Sequence, residues 1–467
     1  MVSRPAGLRS LPSLSRIPDV VIGSTRKAIT KSRTDPKPKT EAISTRILIQ
    51  NGRLIDPSQS LDRVTSLLVA DGRIAAYDAL PSGDELLLDA SGKIVAPGLI
   101  DMHVHLREPG REEDETIQTG TAAALAGGFT SIACCPNTEP PIDNLQTLQF
   151  VRRQADCADQ CRVYVMACVS KGRQGKELAD IGRLAAAGAV AFSDDGSPVY
   201  DDELMRRALE CCRLYDKRLL NHAEVPELAR GGVVHEGTVS KALGLPGIPA
   251  AAEDLMTARD VALAEATGGR LHVMHVSTAG SVDTVRKAKH RGIRVTAECA
   301  PHHFTLTDEC LRTRDANYKM NPPLRSQEHV DACLAGLIDG TIDAIASDHA
   351  PHAREKKRRG LEQAPFGIIG LETTLGLVVT RLVEPGLLDW SRALALLTIN
   401  PARVLGIPRG TLALGAEADV TIIDPDVRWT VDPAQLRSKS TNTPFAGWEL
   451  RGRADTVLVG GKVKFSR

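Results

Sequence analysis

From Lys93 to about Gly386 the chain repeats one pattern. A short apolar, β-branched run is followed by a longer run whose apolar residues recur every three or four positions. The short runs read KIVAPGLIDMHVH, FTSIACCPN, RVYVMACVS, AVAFSDD, RLLNHAE, LHVMHVS, IRVTAECAPH and IDAIASDHAPH. Between them the spacing predicts helices over 114–127, 144–159, 201–216 and 326–340. Alternation of this kind implies a parallel sheet with crossover helices, and eight units in about 300 residues imply a closed α/β barrel of the (β/α)8 TIM type.

The flanks have a different texture. RILIQNGRLIDP and SLLVADGRIAAYD read as short strands broken by Asn-Gly and Asp-Gly turns, and GTLALGAEADVTIIDPD and DTVLVGGKVKFSR look alike after the barrel. Neither flank has enough strands for a core of its own. The expectation is that residues 45–95 and 408–467 pair into one small discontinuous β-domain, with the barrel over 96–407.

Residues 1–40 hold nine Lys or Arg against two acids, among many Ser, Thr and Pro. There is no apolar core of a secretory signal, and the composition suits an organellar transit peptide or, more simply, a disordered basic tail over 1–44. Across the chain 58 basic residues balance 58 acidic ones, which argues against a nucleic-acid or membrane-binding surface. No window approaches the roughly 20 apolar residues of a membrane helix. Ten cysteines are scattered with no C-x-x-C pair, which reads as reduced thiols in the cytoplasm.

Chemistry enters at GLIDMHVH. Alternate residues of a strand share a face, so His103 and His105 project together at the carboxyl end of the first barrel strand, the rim where barrel enzymes keep their active sites. Two imidazoles on one face supply half of a four-coordinate site for Zn²⁺ or a similar ion. Alone the pair is a weak sign, and each such residue has a packing explanation. Yet strand four ends in Asp194 and Asp195, strand five in His222, strand six in His275 and strand eight in Asp348. Buried imidazoles and carboxylates are costly unless partnered, so five strand ends converging on one mouth point to a metal site. Six such side chains exceed the needs of one tetrahedral ion, which suggests two ions sharing a carboxylate, Asp194 or Asp195, and activating a water.

The motifs GLIDMHVHLREPG, CCPNTEPPIDN, AFSDDGSPV, NHAE, MHVSTAGSV, AECAPHH, KMNPPLR, ASDHAPH and APFGIIGLE, taken in order, resemble those of dihydroorotases in the amidohydrolase superfamily. The resemblance is greatest to the bacterial type I group, runs from about Ile47 to Lys464, and includes a closing NTPFAGWELRG. It implies reversible zinc-dependent hydrolysis of L-dihydroorotate to N-carbamoyl-L-aspartate in pyrimidine synthesis. By that resemblance His103 and His105 are first-strand metal ligands, and His222 and His275 hold the second zinc ion. Asp195 is the bridge, with Asp194 as its rival. Many relatives bridge with a carbamylated lysine; no lysine ends strand four here, which suits the type I group. Asp348 contacts metal and serves as general acid/base, passing the hydroxide's proton to the departing ring nitrogen.

Arg107, Asn137, Asn321 and His352 match the substrate contacts of the family, and Phe366 and Gly367 match a segment that meets the ring through its backbone. The planar fork of Arg107 suits a substrate carboxylate, the alternative being an ion pair to Glu108 or Glu112. The family also implies a small-molecule substrate, a homo-oligomer, and a complex with aspartate transcarbamoylase. Two alternatives stand beside this reading. One is a sister cyclic amidase: dihydropyrimidinase, hydantoinase or allantoinase. The other is a dead barrel used as a scaffold, though such barrels lose ligands that this chain keeps. His302 and His303 read as structural, AREKKRRG as a solvated active-site loop, and the glycines over 243–249 lack the setting of a phosphate loop.

Overall fold

The computed structural model describes residues 46–467, so the expected basic tail lies outside the described residues. Eight parallel strands stand in sequence order: β1 Leu99–Val104, β2 Phe129–Cys134, β3 Arg162–Ala167, β4 Ala191–Phe192, β5 Leu219–Asn221, β6 Leu271–Val273, β7 Val295–Cys299 and β8 Ala344–Ile345. His349, just past β8, bridges in parallel to Val104, and the His105 N–H donates to the His349 carbonyl at 2.9 Å. That seam shuts the ring, giving the TIM-type barrel the alternation implies.

The helices start and stop where the sequence places caps. Ile117–Gly127 opens on a capping box between Thr116 and Thr119 and ends at Gly128, whose φ of 96° a side chain would resist. Leu145–Ala158 and Asp202–Leu214 open on Asn144 and Asp201, whose side chains accept from Thr147 and Leu204 amides. Gln327–Asp339 ends on the left-handed Gly340.

Both flanks contribute to one further eight-stranded sheet. Arg46–Asp56 pairs with Leu61–Ala70, while Ile94–Pro97 runs antiparallel to Val420–Thr430, which pairs in turn with Glu449–Val459. The run KIVAPGLIDMHVH, which the pattern presents as one barrel strand, is therefore two. Ile94–Pro97 belongs to the flanking sheet and Leu99–Val104 to the barrel, so the break falls at Gly98 rather than at 95/96. The reason is steric: a Cβ on Gly98 would stand 2.1 Å from Thr130 Oγ1, and the Gly98 N–H donates to the Asp419 carbonyl at 2.8 Å. Only glycine lets the chain pass from one sheet to the other so close to β2.

The sheet and barrel share a core. Ile94, Ala96, Ile423 and Val457 join Leu99, Leu125 and Leu148 in one buried apolar cluster. A second cluster, with Ile100, Met102, Ala133, Cys135, Met166, Leu220 and Met274, fills the barrel interior and sets hydrocarbon against the polar residues at the strand ends. All ten cysteines are free. Among the described residues no helix is long and apolar enough to cross a membrane.

Candidate metal centre and active site

The strand ends bring His103, His105, Asp195, His222, His275 and Asp348 together, each at most 5% exposed. Asp195 sits between two histidine pairs. Its Oδ2 lies 3.5 Å from His103 Nε2 and 3.4 Å from His105 Nε2, while its Oδ1 lies 3.5 Å from His275 Nε2 and 3.7 Å from His222 Nδ1. Asp348 Oδ1 lies 3.1 Å from His105 Nε2 and 3.4 Å from His103 Nε2. Three overlapping donor groups result: His103, His105, Cys135 and Asp195; His103, His275 and Asp348; Asp195, His222 and His275. Burial works against the charge of Asp195 and Asp348, yet the His103 imidazole and its neighbours hold both carboxyls well below the usual range.

The donor set fits metal. His103 Nε2, Asp195 Oδ1 and His275 Nδ1 are buried without a hydrogen-bond partner among the described residues, a costly condition for groups that have no other use. Imidazole and carboxylate are borderline-to-hard donors, and this mixture suits Zn²⁺ and related divalent ions. Cys135 reaches the first group, but burial pushes its thiol up to about 12. Asp194, the neighbour of Asp195, is spent elsewhere: its oxygens accept from the amides of Val169 and Ser170 and from the Ser170 hydroxyl.

Residues that the motif reading passes over orient this set. Glu298 Oε1 lies 2.6 Å from His103 Nδ1, and its Oε2 lies 3.3 Å from His272 Nε2, whose Nδ1 is 2.8 Å from Thr296 Oγ1. A carboxylate on Nδ1 fixes the tautomer that aims Nε2 at the centre. Asp101 accepts from the amides of His103 and Ser347, tying β1 to the end of β8. Alternation could have exposed Asp101, which shares the face of His103 and His105. The one acid in β7, a strand read as buried, was the available sign for Glu298.

Arg107 is 5% exposed, and among the described residues no carboxylate comes within ion-pair distance of it. Its Nε donates to the Pro351 carbonyl at 3.2 Å, and Nη2 lies 3.5 Å from His352 Nε2. The expected alternative partners are occupied otherwise: Glu108 accepts from the Ile117 amide and Glu112 from the Gly110 amide. Burial lowers the Arg107 pKa to about 10, which leaves it a cation at neutral pH. Its φ of 60°, with 32° at His275 and 46° at Asp348, puts three left-handed non-glycine residues in the site, where such strain concentrates.

The remaining expected contacts are more deeply knitted into the protein. Asn137 Oδ1 is 2.9 Å from His105 Nδ1, so it steadies a histidine and leaves only its amide nitrogen over. Asn321 Nδ2 is 3.3 Å from His222 Nε2, and its Oδ1 is buried without a partner among the described residues. His352 Nε2 donates to the Phe366 carbonyl at 2.7 Å, and burial beside Arg107 lowers its pKa to about 2, so it stays neutral. A Cβ on Gly367 would meet the Ala350 carbonyl at 2.4 Å and His352 Cδ2 at 2.6 Å, so the backbone there is pressed against the site loop. His303 Nε2 bonds the Pro322 carbonyl at 2.9 Å, a structural role. In the AREKKRRG segment Arg354, Glu355, Arg358 and Arg359 are exposed as a solvated loop would have them, but Lys357 is buried.

Barrel and cluster together define a member of the amidohydrolase superfamily. The comparisons agree: residues 92–281 match a family model described as dihydro-orotase-like, and residues 242–465 match the amidohydrolase family. A dihydroorotase of Pelotomaculum thermopropionicum is 53% identical over 90% of this chain and 98% of its own length. One of Syntrophus aciditrophicus is 51% identical over 90% and 99%. Among solved structures, the L-hydantoinase (dihydropyrimidinase) of Arthrobacter aurescens superposes with a TM-score of 0.81 at 27% identity, covering 90% of this chain and 96% of that one. The chain belongs to the dihydroorotase family.

Proposed function

We propose that the protein hydrolyses the ring amide of L-dihydroorotate reversibly to N-carbamoyl-L-aspartate, closing the ring in the biosynthetic direction. The observation that carries this reading is Arg107, a buried guanidinium with no carboxylate partner among the described residues, two residues from a metal-type histidine. Such a cation waits for a carboxylate from outside, and the substrate brings one.

Two zinc ions would be held by His103, His105 and Asp195 on one side and by Asp195, His222 and His275 on the other, with Asp348 reaching the His103 side. When bound, such ions polarise a carbonyl and bring the pKa of a water down to about 7. Asp195 has one oxygen toward each histidine pair, the arrangement a bridging carboxylate needs. Asp348 is ionised at neutral pH and stands at the mouth, so it can take a proton from the attacking water and hand it to the leaving ring nitrogen. Arg107 fixes the substrate carboxylate, Asn321 and His352 approach the ring, and the apolar interior limits stray water. Ten free thiols suit a reducing compartment such as the cytoplasm.

The fold likeness to a hydantoinase favours a second reading, a cyclic amidase without a carboxylate requirement. Steady-state assays with dihydroorotate, dihydrouracil, hydantoin and allantoin separate the two. Highest kcat/KM on dihydroorotate is the expected outcome, and turnover of the uncarboxylated rings alone refutes it.

A further inference from the structure

Lys357 lies in the basic run between two site motifs, yet only 6% of it is exposed, and Lys319 is 3% exposed beside it. Among the described residues neither ammonium has a carboxylate within ion-pair distance. Lys319 Nζ donates to the Glu362 carbonyl at 3.2 Å and sits 4.6 Å over the Phe366 ring. Lys357 Nζ donates to three carbonyls, of Gly367 at 2.9 Å, Pro365 at 3.1 Å and Lys319 at 3.3 Å. An ammonium has three donors, and here each has one acceptor.

These acceptors belong to the two segments that flank the expected ring subsite. Lys319 stands two residues before Asn321, and Pro365–Gly367 contains the segment expected to meet the ring. The Gly367 N–H also donates to the Lys319 carbonyl at 3.0 Å, and Asn442 Nδ2 donates to the Gly367 carbonyl at 3.0 Å. With the Phe366 carbonyl taken by His352, the Phe366 N–H is the backbone polar group of Pro365–Gly367 left without a partner among the described residues.

We propose that Lys357 is a positioning residue for the substrate ring, clamping the Lys319 and Pro365–Gly367 backbones together so that the Phe366 N–H is presented as a donor. The proposal rests on the dihydroorotase reading for the identity of the ring, while the clamp itself does not. A neutral amine has two donors in place of three and no charge to strengthen them, so deprotonation weakens the clamp, although the Lys319 and Gly367 carbonyls keep a second donor in the Gly367 N–H and Asn442 Nδ2. Burial, with the positive charge of Lys319, lowers the Lys357 pKa to about 7. The other charged groups around it are Asp315, which opposes that shift, Arg314, Arg354, Arg358 and Asp432 lining the same surface cleft, and neutral His352. The clamp therefore loosens as pH rises above about 7.

The test measures kcat and KM for dihydroorotate from pH 6 to 9 in the metal-loaded wild type and in Lys357→Met. Wild-type KM is expected to rise with pH; Lys357→Met should have a KM about tenfold higher at pH 6, without that rise, and a kcat within about threefold, because ring docking acts on ground and transition states alike. Amide hydrogen exchange of the 365–371 peptide in substrate-free protein should be faster in the variant. An unchanged KM, a pH profile shared by both proteins, or equal exchange overturns the clamp. A wild-type KM flat from pH 6 to 9 refutes the loosening with pH without any variant. If the wild type does not turn over dihydroorotate at all, the function reading fails, and the exchange comparison still judges the clamp.

Discussion

Glu298→Gln isolates what orientation contributes to the metal centre. Glu298 is fully buried, and its carboxyl is held at about 2: burial pushes it up, but His103 and His272 outweigh that. The ionised Oε1 accepts from His103 Nδ1 at 2.6 Å. The glutamine keeps shape and one acceptor but removes the charge and turns an amide toward His272. A hydrogen bond to a charged group contributes about 1.5–3 kcal/mol. At about 1.4 kcal/mol per tenfold, that translates to zinc binding roughly 10–100-fold weaker, the usual penalty for losing a group behind a metal ligand. Competition against a chromophoric chelator reads the affinity, and circular dichroism confirms that the variant is folded. A folded Glu298→Gln protein with zinc affinity within about twofold of wild type would refute the argument that this carboxylate aims His103.

Other substitutions probe separate parts of the molecule. Arg107→Lys keeps the charge but loses the fork that binds a carboxylate in two places, so KM for dihydroorotate should rise about tenfold or more while zinc content stays constant by metal analysis. Gly98→Ala puts a methyl 2.1 Å from Thr130 Oγ1 and should destabilise the protein by about 1–3 kcal/mol in urea unfolding, provided that unfolding is reversible. Glu372, whose Oε1 accepts from the Arg437 and Ser438 amides, is pushed by burial from an ordinary 4.5 up to about 7. The unfolded chain ionises first, so stability present below pH about 4.5 is lost as pH rises through 7. Glu372→Gln should therefore add stability at pH 8 and none at pH 4; the gap sets a ceiling of about 3 kcal/mol, which partial exposure reduces to about 1–2 kcal/mol. Parallel melting curves at the two pH values decide.

Local rules made much of this molecule legible. Thr116, Asn144 and Asp201 cap the helices the spacing predicts, because a cap is a contact between residues three apart. Period-two alternation placed His103 and His105 on one face, and the barrel's convergence of strand ends gathered Asp195, His222, His275 and Asp348 around them. What stayed hidden depends on distant pairings. Glu298 meets His103 across 195 positions, a contact set by ring closure and not by any local pattern. Asp194 and Asp195 are neighbours in composition and opposite in use, because the chain direction leaving β4 turns one toward Ser170 and the other toward the histidines. Lys357 looked solvated in a charged run, since the carbonyls that bury it come from Lys319 and from Pro365–Gly367. Gly98 hid a change of sheet inside an unbroken apolar run, for the atom that forbids a side chain there belongs to β2.

The joining of Ile94–Pro97 to Val420–Ile423 carries a consequence for biosynthesis. Every metal-type side chain is translated by Asp348, yet the sheet on which β1 rests is finished only by strands ending at Ser466. A ribosome that stops early, at 440 for instance, releases a polypeptide with all its donors and no finished footing for the first two of them. Premature termination near the end should thus yield an insoluble or protease-sensitive product rather than a slower catalyst, a fate visible by limited proteolysis of the truncated chain.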